Sequence, residues 1–273
     1  MSALRELLEP TSLPGELVDE VLSETNTLWL LGAPDELVAS ELVLCHPPLG
    51  PGETRAVVNE TEHAQLWRVT LVTRDRAGLL ARTSGTLTAA GLSIVDAAVT
   101  VLPRSRLALQ RLTVAAARGE AAVDWNRLGR ELRENLAGGD PPASTFTPRG
   151  PVVVEAQPQE LGRSMVTVEA PDRVGLLHAT AAWFEVNGCN VEACRAGTDG
   201  DRARDAFIVT GQVDTAALAA ALGGPDAGSI VTRVVTTPWH VAVGVTASVL
   251  QVGQQVLASA SEIARLPFQR SGR

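Results

Sequence analysis

Two short loops carry the residues best suited to binding a small molecule. They run from Asp75 to Leu80 and from Asp172 to Leu177, and they read DRAGLL and DRVGLL. Each follows an alternating apolar run and precedes an apolar stretch at helical spacing, so each glycine stands where a strand passes into a helix. Glycine permits close backbone approach, and the first amides of a helix lack partners within it. Such a helix start attracts an anion, for example the α-carboxylate of an amino acid.

The residue types that usually serve catalysis or metal binding are scattered. No nucleophile is coupled to a base, and neither a phosphate-binding glycine loop nor a His-Asp dipeptide occurs in the sequence. The three cysteines form no Cys-x-x-Cys pair, so we expect buried, reduced thiols. The residues concerned are Cys45, Cys189, Cys194, His46, His63, His178 and His240. The sequence therefore predicts no enzyme activity, no metal site and no cofactor.

Composition is typical of a globular protein with aliphatic cores. The chain has 273 residues, of which 45% are hydrophobic and only 3% aromatic, and this length suits two domains. All 23 basic residues are arginine, and the net charge is −8. Because no basic cluster accompanies this negative charge, composition argues against nucleic acid or an anionic membrane as partner.

The sequence contains no segment typical of targeting or membrane insertion. The first ten residues lack an apolar signal core. Residues 241–261 carry no charge, but their three glutamines and two glycines favour a half-buried helix over a membrane span. We therefore expect a cytoplasmic protein without a membrane partner.

The two loops belong to a duplicated unit. Asp75 and Asp172 are 97 residues apart, and so are Gly91 and Gly188, which end the helical stretches after the loops. Two matches at one offset indicate a module that is present twice. In each copy the apolar patterns predict the order β-α-β-β-α-β. This is the ferredoxin-like α+β arrangement, an antiparallel four-stranded sheet with two helices on one face.

The patterns also predict the bounds of the elements. The first copy has its successive elements at 66–73, 79–90, 93–102, 107–115, 123–136 and 151–155. The second copy has them at 164–170, 176–187, 191–198, 203–209, 215–222 and 229–236. The predicted organisation is a helical N-terminal segment (1–62), a first domain (63–156), a second domain (163–237) and a helical tail (238–273).

The module resembles the ACT domain, a family of small-molecule and chiefly amino-acid sensing modules. The resemblance rests on the DRxGLL loops and on the Gly-x-x-(Ile/Val) pattern that opens the second strand of each copy. The segments 28–31, 33–37, 124–128 and 152–155 are further similar to the C-terminal regulatory region of the bifunctional uridylyltransferase/uridylyl-removing enzyme of nitrogen signalling. This similarity covers roughly residues 10 to 236 and includes none of that enzyme's catalytic motifs. It implies a sensor without catalytic domains.

The resemblance also implies where a ligand binds. In ACT proteins the ligand commonly lies between this loop and the start of the second strand of a paired module, so we expect the two modules to pair edge to edge into an eight-stranded sheet. The implied ligand-binding residues are Asp75, Arg76, Ala77, Gly78, Leu79, Leu80, Ser93 and Ile94 in the first copy, and Asp172, Arg173, Val174, Gly175, Leu176, Leu177, Asn190 and Val191 in the second.

The two candidate sites differ at their facing strands. Asn190 offers a side-chain amide that both donates and accepts, whereas Ser93 has less reach. On the third strand, where the family often has Asp, the second copy has Asp205 and the first has Gln110. These two positions align across a two-residue difference in hairpin length. The second copy is therefore the better predicted site.

Structural roles stay open for the same residues. The loop aspartates can bond loop amides and shape the turn, the arginines can be solvated, and the leucines can belong to the core. Asn190 can equally satisfy a strand edge. His178 is expected to be packed within a helix.

Two functions are compatible with these observations. The leading one is a non-catalytic regulatory protein that binds an amino acid between ACT modules, with glutamine favoured by the resemblance, and signals by a conformational or oligomeric change. Its expected partners are the amino acid, a second copy in a homodimer, and a regulated protein that the sequence does not identify. The alternative is a ligand-independent interaction module, which the departures at Ser93 and Gln110 favour.

Overall fold

The computed structural model describes residues 2–30, 33–116, 123–138, 142 and 146–223. Within these ranges the chain forms eight α-helices and eight β-strands. The helices are α1 (Ser2–Leu8), α2 (Gly15–Glu24), α3 (Thr27–Leu30), α4 (Asp35–Leu42), α5 (Leu79–Ala89), α6 (Trp125–Ala137), α7 (Leu176–Val186) and α8 (Thr215–Gly223). The strands are β1 (Thr54–Glu60), β2 (Leu66–Arg74), β3 (Leu92–Leu102), β4 (Leu107–Ala116), β5 (Val153–Pro158), β6 (Arg163–Pro171), β7 (Asn190–Asp199) and β8 (Arg202–Thr210).

These strands form one antiparallel sheet in the order β1-β2-β4-β3-β7-β8-β6-β5. The two repeats meet where β3 pairs with β7, and we call this line of contact the seam. At its centre Ala98 lies opposite Arg195, a position 97 residues further along the chain. The repeats are therefore related by an approximate two-fold axis through this point. The predicted α+β fold and the predicted edge-to-edge pairing are both confirmed.

The outer strand of each half differs from the prediction. Residues 151–155 were expected to close the first repeat, but β5 pairs with β6 at the edge of the second repeat. The corresponding edge of the first repeat is β1, a strand that the sequence reasoning missed within 1–62. Each edge strand thus precedes its repeat and joins it as a hairpin. The reason is the short connection, because sequential strands pair most readily with a near neighbour in the chain.

Four helices cover one face of the sheet. Helices α5 and α7 pack against each other beneath the seam, and α6 and α8 lie outside them. The core on this face is formed by inward residues of both repeats, such as Leu87, Leu112, Phe184 and Phe207. Because this core is continuous across the seam, the two repeats are held together by side chains as well as by strand pairing.

The N-terminal helices α1 to α4 cover the opposite face of the first repeat. Their apolar side chains, with Trp29 and Leu42 among them, pack on Leu109 of the sheet. A buried ion pair lies within this interface, where Arg111 Nη1 is 2.7 Å from Glu41 Oε2. The Arg111 guanidinium also donates to the Trp29 carbonyl oxygen at 2.9 Å and lies 5.4 Å from the centre of the Trp29 ring. The pair is thus supported by further polar and aromatic contacts.

Several expectations fall outside the described residues, namely the strand at 229–236 and the helical tail at 238–273, which includes 241–261. The division of the chain into the four predicted segments stays a prediction. In the described ranges, no helix is both long and apolar enough to cross a membrane.

Candidate binding site at the seam

Both DRxGLL loops start a helix through a glycine in the left-handed backbone region. Gly78 has φ 77° and Gly175 has φ 86°, and they are the N-caps of α5 and α7. A residue with a Cβ is disfavoured in this conformation. Neither helix start is capped by a side chain. A Ser or Asp cap would supply a side-chain oxygen that accepts from the first backbone amides of the helix. Glycine supplies none, so these amides can donate to another acceptor, such as a ligand.

The polar residues of the loops also have structural partners. The backbone amides of Asp75 and Asp172 each donate, at 2.8 Å, to a carbonyl oxygen in the turn between the next two strands of their own repeat. The Arg76 guanidinium donates to the carbonyl oxygen of Leu136 at the C-terminal end of α6, and that of Arg173 reaches the Thr147 carbonyl oxygen at 3.5 Å. Hydrogen bonds therefore join each loop to other parts of the protein.

Each loop borders a pocket that extends across the seam. The first-loop pocket has an empty volume of about 370 Å³ and the second-loop pocket one of about 380 Å³, both including space open to solvent. The first-loop pocket is lined by Asp75, Arg76, Gly78, Leu79, Leu80, Ala81, Val99, Val101, Ala108, Gln110, Ala181, Glu185, Cys189, Asn190 and Val191. The second-loop pocket is lined by Thr88, Ile94, Val95, Asp96, Asp172, Arg173, Gly175, Leu176, Leu177, His178, Ala196, Gly197, Thr198, Ala203 and Asp205.

Strand direction explains why each pocket takes residues from both repeats. Strands β2 and β3 run in the same direction, because both are antiparallel to β4. The first loop follows β2 and so lies where β3 ends. Since β7 is antiparallel to β3, it begins at that same end. By symmetry, the second loop faces the beginning of β3.

This arrangement corrects the predicted combination of residues. Asn190 and Asp205 were expected to serve one site in the second copy, but the structure separates them. Asn190 lies in the first-loop pocket with Gln110, and Asp205 lies in the second-loop pocket with Ile94. The sequence reasoning grouped residues by repeat, whereas antiparallel pairing at the seam groups them across repeats.

Most of the predicted ligand-binding residues line one of the two pockets. The exceptions are Ala77, Val174 and Ser93, which line neither. Ala77 is exposed and Val174 is 43% exposed, because both lie at the outer tips of their loops. In place of Ser93, the strand wall of the second-loop pocket is formed by Ile94, Val95 and Asp96. Whether the lining residues contact a ligand stays a prediction.

The second-loop pocket contains a buried carboxyl group without a cationic partner. Asp205 is 6% exposed, and its Oδ1 accepts a hydrogen bond from the Gly197 amide at 3.3 Å. Burial, together with a smaller effect of the nearby Asp172 carboxylate, raises the pKa of Asp205 to about 7, although the hydrogen bond from Gly197 acts in the opposite direction. In the described part of the chain no arginine forms an ion pair with Asp205. The pocket is therefore suited to a positively charged group.

The first-loop pocket has a neutral group at the matching place. Gln110 lies between Leu71 and Val99 on the neighbouring strands, while Asp205 lies between Val168 and Ala196. Both neighbours of Gln110 precede those of Asp205 by 97 residues, so the two positions are equivalent.

The Gln110 carboxamide has unused hydrogen-bonding capacity. The side chain is 1% exposed, and its Oε1 is buried without a hydrogen-bond partner among the described residues. An unsatisfied buried polar group of this kind costs about 1–3 kcal/mol. A ligand that supplies the missing partner recovers that free energy.

An ion pair closes one side of the first-loop pocket. Arg82 Nη1 is 2.6 Å from Glu185 Oε1, which joins the first turn of α5 to the last turns of α7. The Glu185 carboxyl group lies directly against Gly78, since a Cβ at that position would be 2.1 Å from its Oε1. The position equivalent to Arg82 is Ala179 in the second repeat, and the position equivalent to Glu185 is Thr88 in the first, so these two residues form no such pair. The sequence reasoning missed Glu185, and the 97-residue offset does not reveal it.

His178 joins the two central helices. Its Nδ1 is 2.8 Å from the Ala81 carbonyl oxygen of α5, and its ring fills the space beside Gly85. His178 and Ala81 are equivalent positions, 97 residues apart. The histidine is thus packed between helices, as predicted. Among the described residues, no group of three or more His, Cys, Asp or Glu side chains is placed to hold a metal ion.

Comparison with known proteins gives relatives of one kind. No protein-family model matches the chain. A bifunctional uridylyltransferase/uridylyl-removing enzyme from Bordetella pertussis (strain Tohama I) is 32% identical over 180 residues, which is 60% of this chain and 21% of that enzyme. An enzyme of the same description from Methylococcus capsulatus (strain Bath) is 31% identical over 155 residues, covering 52% of this chain and 17% of its own length.

Solved structures give a weaker likeness. Aspartate kinase from Synechocystis matches 58% of this chain and 26% of its own, at 16% identity and a TM-score of 0.35. The chain spans about a fifth of the length of the uridylyltransferase relatives that it matches. What the comparisons show is a similarity to part of the bifunctional uridylyltransferase/uridylyl-removing enzymes.

Proposed function

We propose that this chain is a non-catalytic regulatory protein that binds a free amino acid at the seam between its two repeats. The observation that supports it most strongly is the pair of pockets, each built from a glycine-started helix of one repeat and a strand of the other. The similarity to part of the uridylyltransferase/uridylyl-removing enzymes makes glutamine the favoured ligand.

The geometry supports a simple mode of binding. The α-carboxylate of the ligand lies at the start of α5 or α7, where backbone amides and the helix dipole favour an anion by about 0.3–1 kcal/mol. The rest of the ligand lies against the strand of the other repeat. A bound amino acid therefore contacts both repeats at once.

Contacts on both sides of the seam provide a route to regulation. A ligand that binds one arrangement of the repeats more tightly than another shifts the population towards that arrangement. Such a change alters the surface offered to a regulated protein or to a second copy of the chain.

A thermal-unfolding screen against each free amino acid at millimolar concentration tests this function. At a ligand concentration of 100 times Kd, the stabilisation is about 2.7 kcal/mol. Gly175→Val places a branched side chain in the second-loop pocket and should remove stabilisation that arises there. Gly200→Val is the matched control, because Gly200 also has a positive φ (64°) but has no atom within 4 Å of an added Cβ. If no amino acid raises the unfolding temperature of the unaltered chain, the function is wrong.

The Arg82–Glu185 pair favours one alternative, a ligand-independent interaction module. In this alternative the carboxyl group of Glu185 permanently occupies the space beside Gly78 and stabilises the seam. Such a module forms the same oligomer with and without amino acids, and sedimentation velocity across a ligand series distinguishes the two functions.

A further inference from the structure

The two seam pockets have the same architecture but different chemistry at one position. Gln110 and Asp205 occupy equivalent places on the third strand of their repeats, and each lines the pocket next to its own loop. Both side chains are more than nine-tenths buried. One presents a neutral carboxamide and the other a carboxyl group, so the two pockets are not interchangeable copies.

The Gln110 carboxamide is the side chain that most clearly lacks a partner at either pocket. Its Oε1 has no hydrogen-bond partner among the described residues, although Gln110 is only 1% exposed. Buried amides in folded proteins are normally paired. Asn190 reaches the same pocket from the other repeat and contributes a second carboxamide. Together they offer donors and acceptors but no charge.

The second-loop pocket demands a different group. Asp205, Asp172 and Asp96 all line it, and Arg173 and His178 line it as well. The Arg173 guanidinium is directed to the Thr147 carbonyl oxygen, and the His178 ring to the Ala81 carbonyl oxygen. Asp205 is thus left without a cation, and a ligand ammonium is the complementary group.

We propose that Gln110 and Asp205 determine which ligand group each pocket accepts. The first-loop pocket takes a neutral group that both donates and accepts hydrogen bonds, such as a carboxamide held between Gln110 and Asn190. The second-loop pocket requires a positively charged ammonium. This inference rests on the proposed function and adds a selectivity that differs between the two halves of one chain.

Two probes that differ in a single group separate the pockets. L-Glutamine carries an ammonium, a carboxylate and a carboxamide, and glutaramate is the same molecule without the ammonium. We expect isothermal titration calorimetry to find two sites per chain for L-glutamine. For glutaramate at pH 8, where the Asp205 carboxyl group is ionised, we expect one site, the first-loop pocket, because glutaramate brings no cation to pair with that carboxylate.

Variants assign the glutaramate site. Gln110→Met removes the carboxamide with little change in side-chain length and should weaken glutaramate binding at least about tenfold. The unfolding temperature of the unliganded variant should not fall, because no hydrogen bond within the protein is lost. Gln157→Met on β5, away from both pockets, is the matched control and should bind both probes as the unaltered chain does. Asp205→Asn should retain the glutaramate site.

The outcomes distinguish this inference from the proposed function. Unchanged glutaramate binding by Gln110→Met, or two glutaramate sites in the unaltered chain, overturns the inference alone. A fall in the unfolding temperature of unliganded Gln110→Met also overturns it, because the amide would then have a structural partner. If neither probe binds the unaltered chain, the proposed function fails together with the inference.

Discussion

At the scale of single residues, the two repeats differ in the side chains that would contact the proposed ligand. The loops keep the same Asp-Arg-x-Gly-Leu-Leu pattern, and both glycines adopt the same left-handed conformation. The residues that close the pockets are different. The first repeat has Gln110 where the second has Asp205, and the second repeat has Glu185 where the first has Thr88. In the proposed function, the common backbone is the carboxylate site, and the variable side chains are the source of selectivity.

The raised pKa of Asp205 makes a prediction about stability. Since its folded-state pKa (about 7) exceeds its ordinary value of 3.8, the folded protein holds this proton more tightly than the unfolded chain does. Stability from this group is therefore fully present below pH 4 and is lost as pH rises to about 7. The interval of about three pH units corresponds to as much as about 4 kcal/mol.

Urea unfolding as a function of pH measures this effect. Asp205→Asn should lose its share of the decline between pH 4 and 7, while Glu41 and Asp96, whose pKa values burial also raises, keep theirs. This variant should be more stable than the unaltered chain at pH 8. The exposed Asp201→Asn is the control and should keep the decline. Parallel pH profiles for Asp205→Asn and the unaltered chain would show that the Asp205 carboxyl group is not held protonated by its surroundings.

At the scale of elements, the close contact of α5 with α7 depends on the absence of a side chain at Gly85. An added Cβ at Gly85 would be 2.7 Å from His178 Cε1. Gly85→Ala should therefore lower the free energy of unfolding by about 1–3 kcal/mol, because overpacking at a buried contact forces side chains or backbone to move. Gly129→Ala in α6, where an added Cβ would lie 3.7 Å from the flexible end of Arg133, should instead stabilise by about 0.5–1 kcal/mol.

The double variant Gly85→Ala with His178→Ala tests the cause of this loss. Removing the imidazole opens the space that the new methyl group needs, so the two substitutions should be less than additive in urea unfolding. Strict additivity would mean that the histidine is not the obstacle.

The attachment of the N-terminal helices depends on the Arg111–Glu41 ion pair. Both side chains are at most 5% exposed, and burial raises the pKa of Glu41 although the Arg111 charge lowers it. Arg111→Met leaves Glu41 buried without its cation and should cost about 3–5 kcal/mol. Arg127→Met removes an exposed pair with Glu131 and should leave the free energy of unfolding nearly unchanged in the same urea assay, because solvent screens an exposed pair.

The sequence predicted most elements because apolar periodicity and glycine stops were strong in both repeats. The predicted strand at 66–73, for example, is observed as Leu66–Arg74, and the predicted helix at 176–187 as Leu176–Val186. The edge strands were assigned wrongly, because one strand cannot show by its own pattern which neighbour it pairs with. Subtracting the 97-residue offset from the stretch around β5 gives the position of β1, so the repeat itself would have located the missing strand.

The candidate site was predicted less well than the fold. The loops were identified, since their residue types and spacing are local signals. The combination of Asn190 with the first loop depends on the antiparallel direction of β3 and β7, which is a property of the assembled sheet. The unpaired carboxamide of Gln110 is likewise visible only when its neighbours are in place.

At the scale of the whole molecule, the seam turns two repeats into one unit. The eight-stranded sheet, the α5–α7 contact and the shared core join the repeats, and each of the two pockets described is lined by residues of both. A ligand in either pocket therefore contacts both repeats, and its affinity depends on their relative position. This is the physical basis of the proposed regulatory role.

A crystal structure of the full chain, grown with the amino acid that most raises its unfolding temperature, tests the central claim most directly. The account predicts electron density for the ligand in a seam pocket, with its carboxylate at the start of α5 or α7 and its other end against a strand of the opposite repeat. Ligand bound elsewhere, or held by one repeat alone, would contradict the account.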